Sequence, residues 1–116
     1  MAVNFLVGIV ALLQAAFLVL EMVLWDTPTG HKMFRITPAF ARESKVLAAN
    51  QGLYNGFLAA GLIWGIWLGE AGDPVKLFFL ACVLIAGLYG GATASRNIFF
   101  VQALPAAIAI AGVLLL

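Results

Sequence analysis

A chain of 116 residues that is 65% hydrophobic and 9% charged has too few polar side chains to coat its helices in water. The formal net charge of +1 gives no polyanion-binding balance, so nucleic acid is not expected as a partner. The single cysteine, Cys82, excludes an intramolecular disulfide and a Cys-based metal cluster and reads as a small apolar filler. The solvent that fits this composition is a lipid bilayer.

About 20 mainly apolar residues are needed to cross roughly 30 Å of hydrocarbon. Four such stretches follow one another: Asn4 to Trp25, Val46 to Leu68, Val75 to Thr93 and Ile98 to Leu116. The first has no Lys or Arg ahead of it and is longer than a signal-peptide core, so it is expected to remain as a helix. Between the first two lies the longest connection, Asp26 to Lys45. Gly30 to Phe34 is expected there as a short surface turn, with His31 as a solvated residue and Thr37-Pro38 as a helix start. Asp73-Pro74 reads as an N-cap followed by proline at the first helical position, and Asn97 as a cap for the last helix.

The two later connections are short, so consecutive helices should be antiparallel neighbours. The predicted architecture is all-α, a polytopic membrane protein forming one antiparallel four-transmembrane-helix bundle. Lys32, Arg35, Arg42 and Lys45 in the first connection and Arg96 in the third outnumber Lys76 in the second. Basic residues favour the cytoplasmic side, which places connections one and three there and both termini on the other side.

On this topology the polar residues gather at one level. Glu21 closes the first span, Asn50, Gln51 and Asn55 open the second, Thr93 and Arg96 close the third, and Gln102 opens the fourth. Gln14 and Glu21, seven apart, share a helix face. A carboxylate in the bilayer costs about 2.5 to 3.5 kcal/mol at mid-helix and needs a partner, a proton or water. Arg96 matches Glu21 in depth and sign, which predicts an ion pair across a pocket walled by Asn50, Gln51, Asn55 and Gln102. Plainer roles stand beside this: Asn and Gln as interhelical hydrogen-bonders, Glu21 snorkelling past the interfacial anchor Trp25, and Arg96 as a topology determinant.

Gly52, Gly56, Gly61 and Gly65 recur at small-residue packing intervals along the second span. They allow either tight packing within the chain or a homodimer face. The lone His31, with no Cys set and no HExxH or phosphate loop, leaves no expected metal or cofactor and disfavours redox or hydrolytic chemistry.

The run Leu20-Glu21-Met22 to Trp25-Asp26-Thr27-Pro28-Thr29-Gly30, then Phe34 and Thr37-Pro38, then Lys45 to Gly61 with its Asn50-Gln51-Gly52-Leu53-Tyr54-Asn55-Gly56 core, closely resembles a family of small bacterial membrane proteins, domain of unknown function 1304. The resemblance looks whole-chain and implies four helices in a bacterial inner membrane, without an activity. Its signatures fall on Glu21, Trp25, Asn50, Gln51, Tyr54 and Asn55.

The first expected function is small-molecule binding in a cytoplasm-facing pocket. There Glu21 would supply charge or a proton, Asn50, Gln51 and Asn55 would orient the ligand, and Tyr54 and Trp25 would line the mouth. A proton-coupled exporter similar to the small multidrug-resistance family is the second reading, although Glu21 is at the end of its helix rather than the middle. A non-catalytic accessory subunit packed against a larger membrane partner is the third, and an intramembrane isomerase using Glu21 the fourth.

Overall fold

The computed structural model describes residues 2–116. Five α-helices follow in order, α1 (Ala2–Met22), α2 (Pro28–Phe34), α3 (Pro38–Trp67), α4 (Asp73–Thr93) and α5 (Leu104–Leu115), with no strand among the described residues. A 3₁₀ turn, Gly69–Gly72, leads into α4, and a π-helical turn, Phe99–Ala103, leads into α5.

Local chemistry accounts for most of these boundaries. Thr27 is extended (φ −129°) and its Oγ1 accepts from the Gly30 amide at 3.3 Å, while Pro28 occupies the first turn of α2, where no N–H is needed. Arg35, left-handed at φ 55°, ends that helix. Thr37 Oγ1 accepts from the Phe40 amide at 3.1 Å, so α3 starts at the Thr-Pro step, well before Val46.

Two expected caps are different. Asp73 lies inside the first turn of α4, behind the position of Gly72, and caps nothing; its Oδ1 instead accepts from Lys76 Nζ at 3.4 Å. Asn97 does not cap the last helix, which begins through Ile98 with no side-chain cap. Pro105 explains the wide turn that follows: it has no N–H to offer Val101, and Leu104 N instead reaches back to Phe99 O in an i→i+5 bond.

The chain divides into two compact units, Gln14–Phe57 and the residues on either side of it, up to Leu13 and from Leu58 to Leu116. In the second of these, Val7, Val10, Ala11, Leu62, Leu80, Val83, Ala106 and Ala109 form one buried cluster. The π-helical turn and α5 contribute a row of small residues, Ala103, Ala106, Ala109 and Gly112, all buried. The α4 side is Lys76, Leu80, Val83, Gly87 and Gly91, at spacings of three and four. Many large apolar side chains face outward: Phe5, Ile63, Trp64, Phe78, Ile85 and Leu114 are all exposed.

Lys76 is the exception in this interior, at 3% exposure. Its Nζ donates to Asn4 Oδ1 at 2.8 Å, joining α4 to the start of α1. Removing the acceptor is expected to hurt more than removing the charge. Asn4→Leu leaves a buried ammonium short of its best partner and should cost about 1.5–3 kcal/mol, whereas Lys76→Met keeps the packed stem and removes the desolvated charge. Denaturant titration of both variants in detergent should show that order.

Two helices, Ala2–Met22 and Gly69–Thr93, are long and apolar enough to cross a membrane. They correspond to the first and third expected spans. The apolar stretch Phe99–Leu115 is shorter. In α3 the amides Asn50, Gln51 and Asn55 dilute an otherwise apolar run in a helix of 30 residues.

Candidate functional site

Six of the eight residues singled out above belong to the unit Gln14–Phe57. Its framework is the last two turns of α1 against the first half of α3. Gly52 makes the approach possible: a Cβ there would be 2.7 Å from Met22 Cγ and 3.1 Å from the Leu18 carbonyl oxygen. Gly56 is covered by Leu18 in the same way. In the other unit Gly61 packs under the Phe79 ring and Gly65 against Lys76 and Gly72. All four glycines of the expected dimer stripe are thus covered by side chains or backbone of their own chain.

The closest polar contact of the site spans this glycine seam. Asn55, 8% exposed, donates from Nδ2 to Glu21 Oε1 at 2.6 Å. This short bond joins an amide donor to a carboxyl oxygen across the seam. An amide thus supplies the partner that was expected from Arg96. The guanidinium of Arg96 is exposed in the segment after α4 and has no ion pair among the described residues.

Asn50, Gln51 and Tyr54 do not close over Glu21. All three are exposed, Tyr54 at 58%. Asn50 Nδ2 bonds its own helix at Val46 O (3.1 Å), and Tyr54 meets the Phe57 ring edge-on at 6.0 Å. Successive residues turn by about 100°, so Asn50, Tyr54 and Phe57 share an arc of roughly 60° on the outer face of α3, opposite the Gly52 and Asn55 seam. Gln102, in the other unit, donates to the Val83 carbonyl at 3.3 Å, using its amide to brace α4.

Trp25 has a packing role. Its ring lies 4.8 Å from that of Phe34 and its Nε1 donates to Ser44 Oγ at 3.1 Å, which fastens α2 to α3. His31 is not free in solvent, because its Nε2 is 3.0 Å from Asp26 Oδ1. Two features escaped the sequence reading. Gln14 is fully buried, with neither amide atom bonded to a described residue, and Gly30 passes so close to the Leu24 carbonyl that a Cβ would overlap it. Gln14 was marked only by sharing a face with Glu21, and Gly30 by nothing beyond its place in a turn.

No group of three or more His, Cys, Asp or Glu capable of holding a metal occurs among the described residues. An open depression of about 350 Å³ is lined by Trp64, Pro74, Val75, Phe78 and Phe79, all apolar and none from the polar set. Within the unit Gln14–Phe57 the polar set divides into a bonded pair, Glu21 and Asn55, and three exposed residues, Asn50, Gln51 and Tyr54.

Comparison with known proteins agrees with the motif resemblance. An uncharacterized protein, YpaA, of Lactococcus lactis subsp. lactis (strain IL1403) is 29% identical over 85 residues, covering 72% of this chain and 71% of its own. No solved structure matches the chain significantly. The model of a family described as protein of unknown function (DUF1304) matches residues 8–114. With nearly its whole length matched, Glu21, Asn50-Gln51 and Tyr54-Asn55 included, the chain belongs to the DUF1304 family.

Proposed function

We propose that this protein is a four-span component of the bacterial inner membrane, with both termini on the non-cytoplasmic side, that acts as a non-catalytic accessory subunit. In this reading α1, α3, α4 and the helix from Ile98 onward form one antiparallel bundle, and a larger membrane protein is recognised along the outer face of α3. The supporting observation is the exposure of Asn50, Gln51 and Tyr54 on that helix. Asn50 Nδ2 turns back to Val46 O of its own helix, and lipid offers no partner to the remaining polar atoms of Asn50 and Gln51, which a neighbouring helix with its own polar groups supplies. Outward Phe5, Ile63, Phe78 and Ile85 favour the bilayer, since soluble monomers rarely expose broad apolar surface.

Binding of an enclosed small molecule is less well supported, because Asn50 and Tyr54 lie on the side of α3 away from the Glu21–Asn55 bond and Gln51 is exposed. The exporter and isomerase readings both depend on Glu21, whose Oε1 is already engaged by Asn55.

A photo-crosslinking residue at Tyr54, in intact bacterial membranes, tests the reading against the same residue at Ile85. Adducts with a heavier membrane protein at position 54, absent at 85, are expected. Lipid adducts alone at both positions would sink the proposal, and an adduct of twice the chain's mass would replace it with a homodimer. In a Cys82→Ala background, Lys32→Cys should be labelled only from the cytoplasmic side and Glu70→Cys only from the other.

A further inference from the structure

Four of the chain's six Lys and Arg residues, Lys32, Arg35, Arg42 and Lys45, lie between the middle of α2 and the third turn of α3. All four are exposed. The nearby Asp26 is taken by His31, and the ion pairs among the described residues involve none of the four. Glu43 is the sole acid between Lys32 and Lys45, so this stretch carries a local excess of three positive charges.

The segment is held in shape rather than loose. Trp25 ties α2 to α3 through Phe34 and Ser44, Thr27 caps α2, Gly30 is pressed under the Leu24 carbonyl, and Ser44 Oγ donates to the Phe40 carbonyl at 2.6 Å. Its outer surface alternates the basic residues with apolar ones: Met33, Phe40, Val46 and Leu47 are all exposed. A soluble polyanion would match the charges and leave those apolar groups in water. A membrane surface matches both, taking the cations at phosphate depth and the apolar groups at the acyl boundary.

We propose that α2 and the first three turns of α3 form a docking surface for anionic phospholipid headgroups. Arg35 and Arg42 offer planar forks suited to bidentate contact with a phosphate, while Lys32 and Lys45 act as point charges. Met33 and Phe40 enter the interface between them. This goes beyond orientation of the chain, since it requires a choice among lipids, and it rests on the membrane reading above.

The test uses the full chain in vesicles of phosphatidylcholine alone or mixed with phosphatidylglycerol, and compares spin-labelled versions of the two lipids for association with the protein. Wild type should prefer phosphatidylglycerol, and each basic residue removed should lower that preference about fivefold at low salt. Arg42→Gln with Lys45→Gln should therefore lower it about 25-fold, the quadruple glutamine variant should abolish it, and Arg42→Lys should keep most of it. Raising the salt should weaken the preference. Equal association of both lipids with wild type, or an unchanged preference in the quadruple variant, overturns the proposal while leaving the membrane reading intact. A chain that enters neither vesicle overturns both.

Discussion

Gly72→Ala is expected to destabilise the corner between α3 and α4 by at least about 1–3 kcal/mol, the usual range for overpacking a filled interior. A Cβ at Gly72 would overlap the carbonyl oxygen of Gly65 and stand 2.8 Å from its carbonyl carbon. Both are backbone atoms of α3 and cannot rotate aside, so relief requires moving a helix or opening the 3₁₀ turn. Gly65→Ala should cost less, since the nearest atoms to its Cβ, Lys76 Cγ at 2.8 Å and Lys76 N at 3.2 Å, crowd it less than the overlap at Gly72. Gly8→Ala provides the control: nothing lies within 4 Å of the added methyl, and alanine is the better helix former. Unfolding titrations in one detergent should rank the three with Gly72→Ala lowest and Gly8→Ala at or above wild type. Equal stability of Gly72→Ala and Gly8→Ala would mean that the two backbones are not in close contact.

Asn55→Leu is expected to remove about 1–3 kcal/mol, the range for leaving a buried polar group without its partner. It leaves the Glu21 carboxylate half-buried beside a leucine, without the amide that now donates to it at 2.6 Å. Glu21→Gln should cost much less, because a glutamine carbonyl can accept from the same Nδ2, and the double variant Glu21→Leu, Asn55→Leu should recover much of the loss by removing both polar groups together. Adding the single variant Glu21→Leu completes a double-mutant cycle with wild type, Asn55→Leu and the double variant, read by thermal melts in one detergent. Additive losses would mean that Glu21 and Asn55 do not act as a pair, and a larger loss in Glu21→Gln than in Asn55→Leu would point to the charge rather than the acceptor.

Much of the site could be read from residue types, and its arrangement could not. Glu21, Asn50, Gln51, Tyr54 and Asn55 stand out in an apolar chain because polar groups in helices of this kind need partners. Helical periodicity even places Asn55 and Asn50 on different sides of α3, but the choice of side facing α1 depends on where Gly52 and Gly56 allow contact. The expectation of a Glu21–Arg96 pair followed sign and depth alone. It passed over the possibility that a neutral amide, close by across a glycine seam, meets a carboxylate without a second charge to desolvate. The row Ala103, Ala106, Ala109 and Gly112 was overlooked for a related reason, since alanine is unremarkable in any helix until its neighbours show which face is crowded.

Composition and order along the chain determined that this protein is helical and apolar, that Thr37-Pro38 begins a helix, and that its family is DUF1304. These properties are local or statistical: capping needs only neighbouring atoms, hydropathy is a sum, and a motif is a string. Tertiary structure alone decided that Asp73 serves Lys76 instead of capping α4, that Trp25 is a clasp between α2 and α3, and that the glycine stripe is spent on packing within the chain. Each of these depends on distances between residues far apart in sequence. Such distances follow from how helix faces fit together, which no single helix contains.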